Sequence, residues 1–327
     1  MNIIRTGLQP AAIRRSLVSC FAIAALSASF DGEAYAQTLS MGATNSSSSH
    51  YQIAVGMAKA IEAGMPGTTV SVVETGASVD NIRRLSRKEI DFGLVAGDVL
   101  IQGQEGSGKF NGKGVDDLVA LYPYSESIIN VAVRADSKIE RLEDLNGKKF
   151  TPGIRGSGGE AFISQAFAIL GIKPDYVFGT VTDAVEGVKN GQLVGYSKYA
   201  ASDKVDSALQ ELMTSTKMRI LSFTPEQQKA IQAKIRGVGF RTIAKGFVPD
   251  NESFNTPSVM IYYASRTSLM KDDRAFDIAR SIDQHKNFLI DVWPQLKKFD
   301  FAEAMKLSGA AGITVHPGAM KYWQSAK

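Results

Sequence analysis

The amino-acid sequence predicts an α/β protein of two lobes, with mixed sheets flanked by helices and a ligand cleft between the lobes. Three observations lead to that fold class. From Gln37 onward short apolar strands alternate with amphipathic helices, a pattern that fits parallel or mixed sheets covered on both faces. The chain has 327 residues, more than one average core organises and enough for two. Three segments share one plan: a strand, a small polar or glycine-rich loop, then a helix. Such loops lie at the carboxyl ends of strands, where open α/β sheets bind ligands.

The strands expected are Leu39–Met41, Thr69–Glu74, Phe92–Ala96, Leu118–Tyr122, Ile128–Arg134, Lys149–Thr151, Tyr176–Phe178, Leu193–Ser197, Ile220–Phe223 and Val259–Tyr263. The first of the three helices carries Ile53, Met57, Ala60 and Ile61 on one face, and Gly64 and Pro66 end it. Ahead of it runs Gly42-Ala43-Thr44-Asn45-Ser46-Ser47-Ser48-Ser49. The second follows Thr75-Gly76-Ala77-Ser78, with Val79, Ile82 and Leu85 facing inward. The third follows Gly153-Ile154-Arg155-Gly156-Ser157-Gly158-Gly159, turns Ile163, Ala166, Phe167 and Leu170 inward, and stops at Gly171. Helix N-termini present free N–H groups and partial positive charge, which suits a carboxylate or phosphate.

Composition excludes several classes. Apolar residues make up 44% and charged residues 21%, which is ordinary for a globular chain, and a net charge of +4 with no run of five like charges leaves no nucleic-acid footprint. The N-terminus reads as an export signal. Arg5, Arg14 and Arg15 form a basic region, Leu17–Leu26 a short apolar stretch, and Ala34-Tyr35-Ala36 a small-x-small cleavage site, so the mature chain is expected to start at Gln37, in the periplasm. The single cysteine, Cys20, falls inside that segment, which leaves no disulfide, thiol catalysis or cysteine metal site in the mature chain.

Several motifs are weighed against plainer readings. Gly103-Gln104-Glu105-Gly106-Ser107-Gly108-Lys109-Phe110 nearly spells a phosphate-binding loop, but Phe110 stands where a hydroxyl must bind Mg²⁺, so a surface loop is expected. Ser157-Gly158-Gly159-Glu160 is a capping box, yet it occupies only part of a helix start that has four orphan donors. His50, His285 and His316 show no metal-ligand spacing, and no G-x-S-x-G elbow exists. No catalysis, metal or cofactor is therefore expected. Lys198, between Tyr196 and Tyr199, reads either as a solvated strand end or as a cation in the cleft.

The candidate ligand-binding residues follow. Neutral donors are Thr44, Asn45, Ser46, Ser47, Ser78 and Ser157, with the backbone of Gly76, Gly156, Gly158 and Gly159. Arg155 and Lys198 supply cations, Tyr51 stands beside the first loop, and Asp98 is the one nearby acid. Arg155 has an alternative as an outward, solvated residue. The set points to a small carboxylate, with an amino group or a second acid as further features.

The mature chain resembles the TAXI family of solute receptors for TRAP-type transporters over nearly its whole length. The pieces that carry the resemblance are Met41-Gly42 with its loop into His50-Tyr51, Thr75 to Asn81, Asp91-Phe92-Gly93-Leu94-Val95 and Ala120-Leu121-Tyr122-Pro123. Val133 to Ser137, Leu142 to Lys149, Gly156-Ser157-Gly158, Lys189 to Gln192 and the closing Val315 to Tyr322 complete it. The resemblance implies a two-lobed, periplasmic-binding-protein-like fold with crossings near Arg134 and Asn255, so that residues 37–134 plus 256–327 form lobe 1 and 135–255 form lobe 2. It adds Tyr122 to the candidate site. It also implies a monomer that delivers a carboxylate such as glutamate to ion-gradient-driven TRAP membrane subunits. Alternatives are a secreted sensor docking to a signalling membrane protein and a secreted hydrolase or transferase on the same fold. The first loop, Ala96-Gly97-Asp98, Arg155 and the Gly195–Tyr199 strand depart from the family pattern, so ligand identity does not carry over.

Overall fold

The computed structural model describes residues 37–201 and 205–326. The export signal and Cys20 lie outside the described residues. The strands are β1 (Gln37–Gly42), β2 (Thr68–Val73), β3 (Phe92–Ala96), β4 (Leu118–Arg134), β5 (Lys149–Thr151), β6 (Asp175–Tyr176), β7 (Gly195–Ala201), β8 (Met218–Ile220), β9 (Gly239–Ile243) and β10 (Phe254–Arg266). The helices are α1 (Ser49–Gly64), α2 (Ser78–Ser86), α3 (Gly97–Glu105), α4 (Gly158–Leu170), α5 (Val181–Lys189), α6 (Ser207–Met213), α7 (Pro225–Gln232), α8 (Asp272–Gln284), α9 (Asn287–Val292), α10 (Phe301–Ala310) and α11 (Pro317–Ser325).

The strands hydrogen-bond in the order β2-β1-β3-β10-β4-β7-β5-β6, with β8 on β4 and β9 on β10. β1 pairs parallel with β2 and β3, while β10 runs antiparallel to β3 and β4. Two strands expected at Leu118–Tyr122 and Ile128–Arg134 are one, β4, whose pairing with β10 shifts register between Ile261 and Tyr262 and between Tyr263 and Ala264. Pro123 lies between the two expected strands, and those register irregularities accommodate it. Beyond Ile128 the two long strands part: β4 goes on to pair with β7 and β8, and β10 pairs with β9.

That parting divides the core. One cluster draws its buried side chains from residues 39–124 and 259–323, joined only by Ala161 of α4. Two further clusters, on either face of the other end of the sheet, draw theirs from 128–254 and 129–235. Two lobes result, with β4 and β10 running through both. The inward residues expected on α1 and α2 are all buried, and on α4 Ile163, Ala166 and Phe167 are buried while Leu170 packs half-exposed. α3 was not expected, because it starts directly after β3 without a polar loop; Gly103–Glu105 close that helix and do not belong to a free surface loop. β9 was missed because its residues are only half-buried and lack clear alternation. Among the described residues no helix is long and apolar enough to cross a membrane.

Candidate functional site

The site grows from three helix starts that converge on the gap between the lobes. Ser48 caps α1, its hydroxyl accepting from His50 N at 3.4 Å. Ser157 caps α4, accepting from Glu160 N at 3.1 Å, which forms the expected half of the capping box. Glu160 does not complete the box: its carboxylate accepts from Lys109 Nζ at 2.7 Å and lies 3.4 Å from Gly156 N. α2 has no side-chain cap. Its Val79 and Asp80 N–H groups instead donate to Gly156 O, at 3.0 and 3.2 Å, across the lobe boundary. One of the three expected anion sites is therefore filled by a carbonyl of the opposite lobe.

The backbone entering α2 is strained. Ala77 sits at φ 69° and ψ −149°, a region that essentially only glycine adopts. Thr75 Oγ1 holds the turn by accepting from Ala77 N at 3.1 Å and donating to Ala43 O at 3.0 Å. Strain of this kind persists where surrounding structure over-determines it, and it clusters at ligand sites.

A narrow cavity of about 50 Å³ lies where the lobes meet. From the first lobe come Thr44, Ser48, His50, Ala77, Ser78, Leu94 and Ile261. From the second come Thr151, Gly153, Ile154, Ser157, Gly158, Gly159, Thr180, Val181, Ala184, Tyr196, Ser197, Lys198 and Tyr199. Gly158 and Gly159 are the first residues of α4, so their N–H groups have no intrahelical acceptor. Lys198 lines the wall with its side chain only 10% exposed and its Nζ 3.1 Å from Asp206 Oδ1. His50 is buried, its Nδ1 2.8 Å from Tyr124 Oη and its Nε2 3.4 Å from Ser127 Oγ. Burial, and then the Lys198 charge, push its pKa down to about 3, so the ring is a neutral hydrogen-bonding group near neutral pH.

Of the residues expected at the site, Thr44, Ser78, Ser157, Gly158, Gly159 and Lys198 line the cavity. Nine do not. Asn45 donates to Glu74 Oε1 at 2.7 Å and accepts from Ser47, and Ser46 and Ser47 are exposed. Tyr51 packs half-buried against the first core. Gly76 N donates to Asp80 Oδ2, and Gly156 serves through its carbonyl on α2. Tyr122 is a core residue, its ring stacked on Tyr263 with centroids 5.5 Å apart. Arg155 is exposed and lies over the Phe178 ring at 4.7 Å, so the outward alternative is the one found and Lys198 is the cation at the cavity.

Asp98 lies beneath the cavity, fully buried at the start of α3. Neither carboxylate oxygen closes a hydrogen bond of full geometry among the described residues. Burial pushes its carboxyl up to about 7, opposed by the α3 backbone N–H groups and the nearby Tyr199 hydroxyl. Ser48, Thr151, Thr180, Tyr196, Ser197 and Tyr199 are polar cavity residues absent from the expected site, and His50, beside the first loop, joins them. The two tyrosines flank Lys198 on one strand and His50 follows the first loop, signals that were present; Thr151 carried none.

A cleft between two α/β lobes, lined by helix starts and a buried lysine, is the architecture of a solute-binding protein. The profile of the NMT1-like family matches residues 41–326, and the chain belongs to that family of solute-binding proteins. Among solved structures it is similar to the periplasmic aliphatic sulphonate binding protein SsuA from Escherichia coli, at 16% identity and a TM-score of 0.44, covering 88% of this chain and 90% of that one. It is also similar to a TRAP periplasmic solute-binding protein from Sulfitobacter with bound β-D-galacturonate, at 11% identity and a TM-score of 0.46, covering 88% and 93%. A third, from Shewanella oneidensis with bound succinate, has 11% identity and a TM-score of 0.45, covering 88% and 91%. Among the described residues no cluster suited to a metal ion occurs.

Proposed function

We propose that this chain is the periplasmic receptor of a TRAP-type transporter, of the TAXI kind, and that it binds a small carboxylate by closing its lobes. The observation that carries this reading is the convergence, in one interlobe cavity, of Lys198 with the open N-terminus of α4 at Gly158 and Gly159. A helix N-terminus favours an anion by roughly 0.3–2 kcal/mol, and a charge-assisted bond from a buried ammonium adds to this where water is excluded. The known TRAP neighbours that hold galacturonate and succinate agree with an acidic ligand. The receptor works by binding and release, not by catalysis, as a monomer, and its partner is the ion-gradient-driven membrane subunit. The lobe boundaries we propose lie inside the two long strands, near Ile128 of β4 and Ser258 of β10, where their mutual pairing ends. Arg134 and Asn255, expected as the crossings, stand a few residues further into the second lobe.

Titration calorimetry of the purified protein against matched carboxylates and neutral sugars tests the ligand class. Carboxylates are expected to bind, with Lys198→Met weakening them by about 2–5 kcal/mol. Preference for a neutral sugar over every acid would refute the assignment. Co-purification with TRAP membrane subunits tests the transport role.

A further inference from the structure

Behind Lys198 the second lobe holds a group of buried polar side chains whose hydrogen-bonding capacity is unused. Asn130 of β4 stands directly opposite Lys198 of β7 in the antiparallel ladder, so both side chains leave the same face of the sheet. Tyr196, two residues earlier on β7, shares that face. Asn130 is 1% exposed and Tyr196 2%. Asp206, equally buried, caps α6 through one oxygen, which accepts from Ala208 N at 3.0 Å and also meets Lys198 Nζ. Both amide atoms of Asn130, the Tyr196 hydroxyl and the second oxygen of Asp206 have no partner among the described residues. Asp206 is close enough to Tyr196 to raise the phenol further above its usual range, beyond the effect of burial. Tyr196 and Lys198 also line the cavity, so the group opens onto it.

Buried polar atoms are nearly always satisfied, and four unsatisfied ones in one place call for an occupant. Its chemistry follows from the charges. A second carboxylate entering here would face Asp206, and an ammonium would face Lys198; each meets its own sign. An uncharged group that both donates and accepts fits every open atom: it can donate to Asn130 Oδ1 or Asp206 and accept from Asn130 Nδ2, Tyr196 Oη or Lys198.

Resting on the carboxylate reading above, we infer that Asn130, Tyr196, Lys198 and Asp206 form a second subsite that selects a monocarboxylate bearing a neutral hydroxyl or amide at its far end, over a dicarboxylate or an amino acid. A ligand lacking the second group leaves these atoms unpaired, and such sites reject it strongly.

The test is calorimetry with one matched series, namely succinamate, 4-hydroxybutyrate, succinate, 4-aminobutyrate and butyrate, repeated with the three- and five-carbon homologues. The amide or hydroxyl member is expected to bind at least tenfold tighter than the dicarboxylate, the amino acid and the unsubstituted acid. Tyr196→Phe, which removes one hydroxyl, and Asn130→Leu, which removes the amide, should each erase most of that preference. Should Asn130→Leu fail to fold, Tyr196→Phe alone decides. A dicarboxylate or an amino-bearing acid binding tightest, or an unaltered ranking in Tyr196→Phe, overturns the subsite while the carboxylate reading stands. Failure of every acid, with a sugar bound instead, overturns the carboxylate reading itself.

Discussion

Lys109 Nζ lies 2.7 Å from Glu160 Oε1, an ion pair that ties the end of α3 in the first lobe to the first turn of α4 in the second. Glu160 is 5% exposed at its side chain and Lys109 40%, so the carboxylate is held at the boundary and the lysine reaches in to it. Gln102 to Gln165 at 3.2 Å, Ser207 to Ser47 O at 2.9 Å, the Arg236–Glu105 ion pair and the Gly156 carbonyl on α2 also bridge the lobes. If the lobes open by hinge rotation, as the proposed function requires, these contacts must break.

Lys109→Met removes the ion pair and should therefore speed ligand release. Exposed pairs contribute up to about 1 kcal/mol, so a rise of roughly fivefold in the dissociation rate is expected. Stopped-flow dissociation at low and high salt reads it: the wild type should release faster as salt rises, and the variant should respond less steeply. Equal salt dependence in both would remove the latch role.

Gly158, the first residue of α4, packs tightly against the first lobe. A Cβ there would come within 2.8 Å of Ser78 Oγ, 3.0 Å of Tyr199 Cε2 and 3.1 Å of Ala96 Cβ. Gly158→Ala is expected to weaken ligand binding by tenfold or more, because the lobes cannot reach the closed arrangement. The thermal midpoint of the unliganded protein should barely move, since each lobe keeps its own core. Unchanged affinity would mean that the gap between the lobes yields easily.

Relief of strain at Ala77 gives a prediction of opposite sign. Glycine tolerates φ 69° and ψ −149°, so Ala77→Gly should stabilise the fold. The strain is worth about 1–3 kcal/mol and the added chain entropy of glycine about 0.5–1, leaving a net gain of roughly 1 kcal/mol. Urea unfolding measures it, and a loss of stability would show that the Ala77 methyl contributes more than its backbone costs.

Asp98 predicts a pH dependence. Its carboxyl goes from an ordinary 3.8 in the unfolded chain to about 7 when buried, so between those values the folded protein holds a proton that the unfolded chain has released. Stability from this group is complete below pH 4, falls as pH rises toward 7, and is level above it, by up to about 1.4 kcal/mol per pH unit. Other carboxylates titrate in the same range, so the quantity to measure is the difference between wild type and Asp98→Asn. The variant should gain on the wild type steadily from pH 4 to 7. A constant difference would place Asp98 in a better-solvated setting.

Much of the fold was legible because it rests on local patterns. Ile53, Met57, Ala60 and Ile61 mark the buried face of α1, and Phe92–Ala96, buried at every position, is one of the strands read to the residue. Where the pattern misled, a non-local cause is visible. Leu118–Tyr122 and Ile128–Arg134 read as separate strands, yet β4 runs through Pro123 between them by shifting register against β10. Gly103–Phe110 read as an exposed loop, yet α3 closes there and Lys109 is drawn to Glu160, 51 residues away in sequence. The candidate site shows the same division. Ser157, Gly158 and Gly159 announced themselves as a helix start, while Arg155, in the same loop, could face either way until Phe178 took it outward.

The sequence by itself determined the α/β class, the two-lobe size, the cap Ser157 and the placing of Lys198 at the end of a strand, because each depends on neighbours within a few residues. Only the tertiary structure decided which of these groups meet. It filled the start of α2 with the Gly156 carbonyl, paired Lys198 with Asp206, and left Asn130 buried beside them without a partner among the described residues. Those outcomes depend on strand register and on desolvation at the lobe boundary. A hydrogen bond or a charge there is set by groups up to 160 residues apart in the chain, as in the bond from Ser207 to Ser47 O.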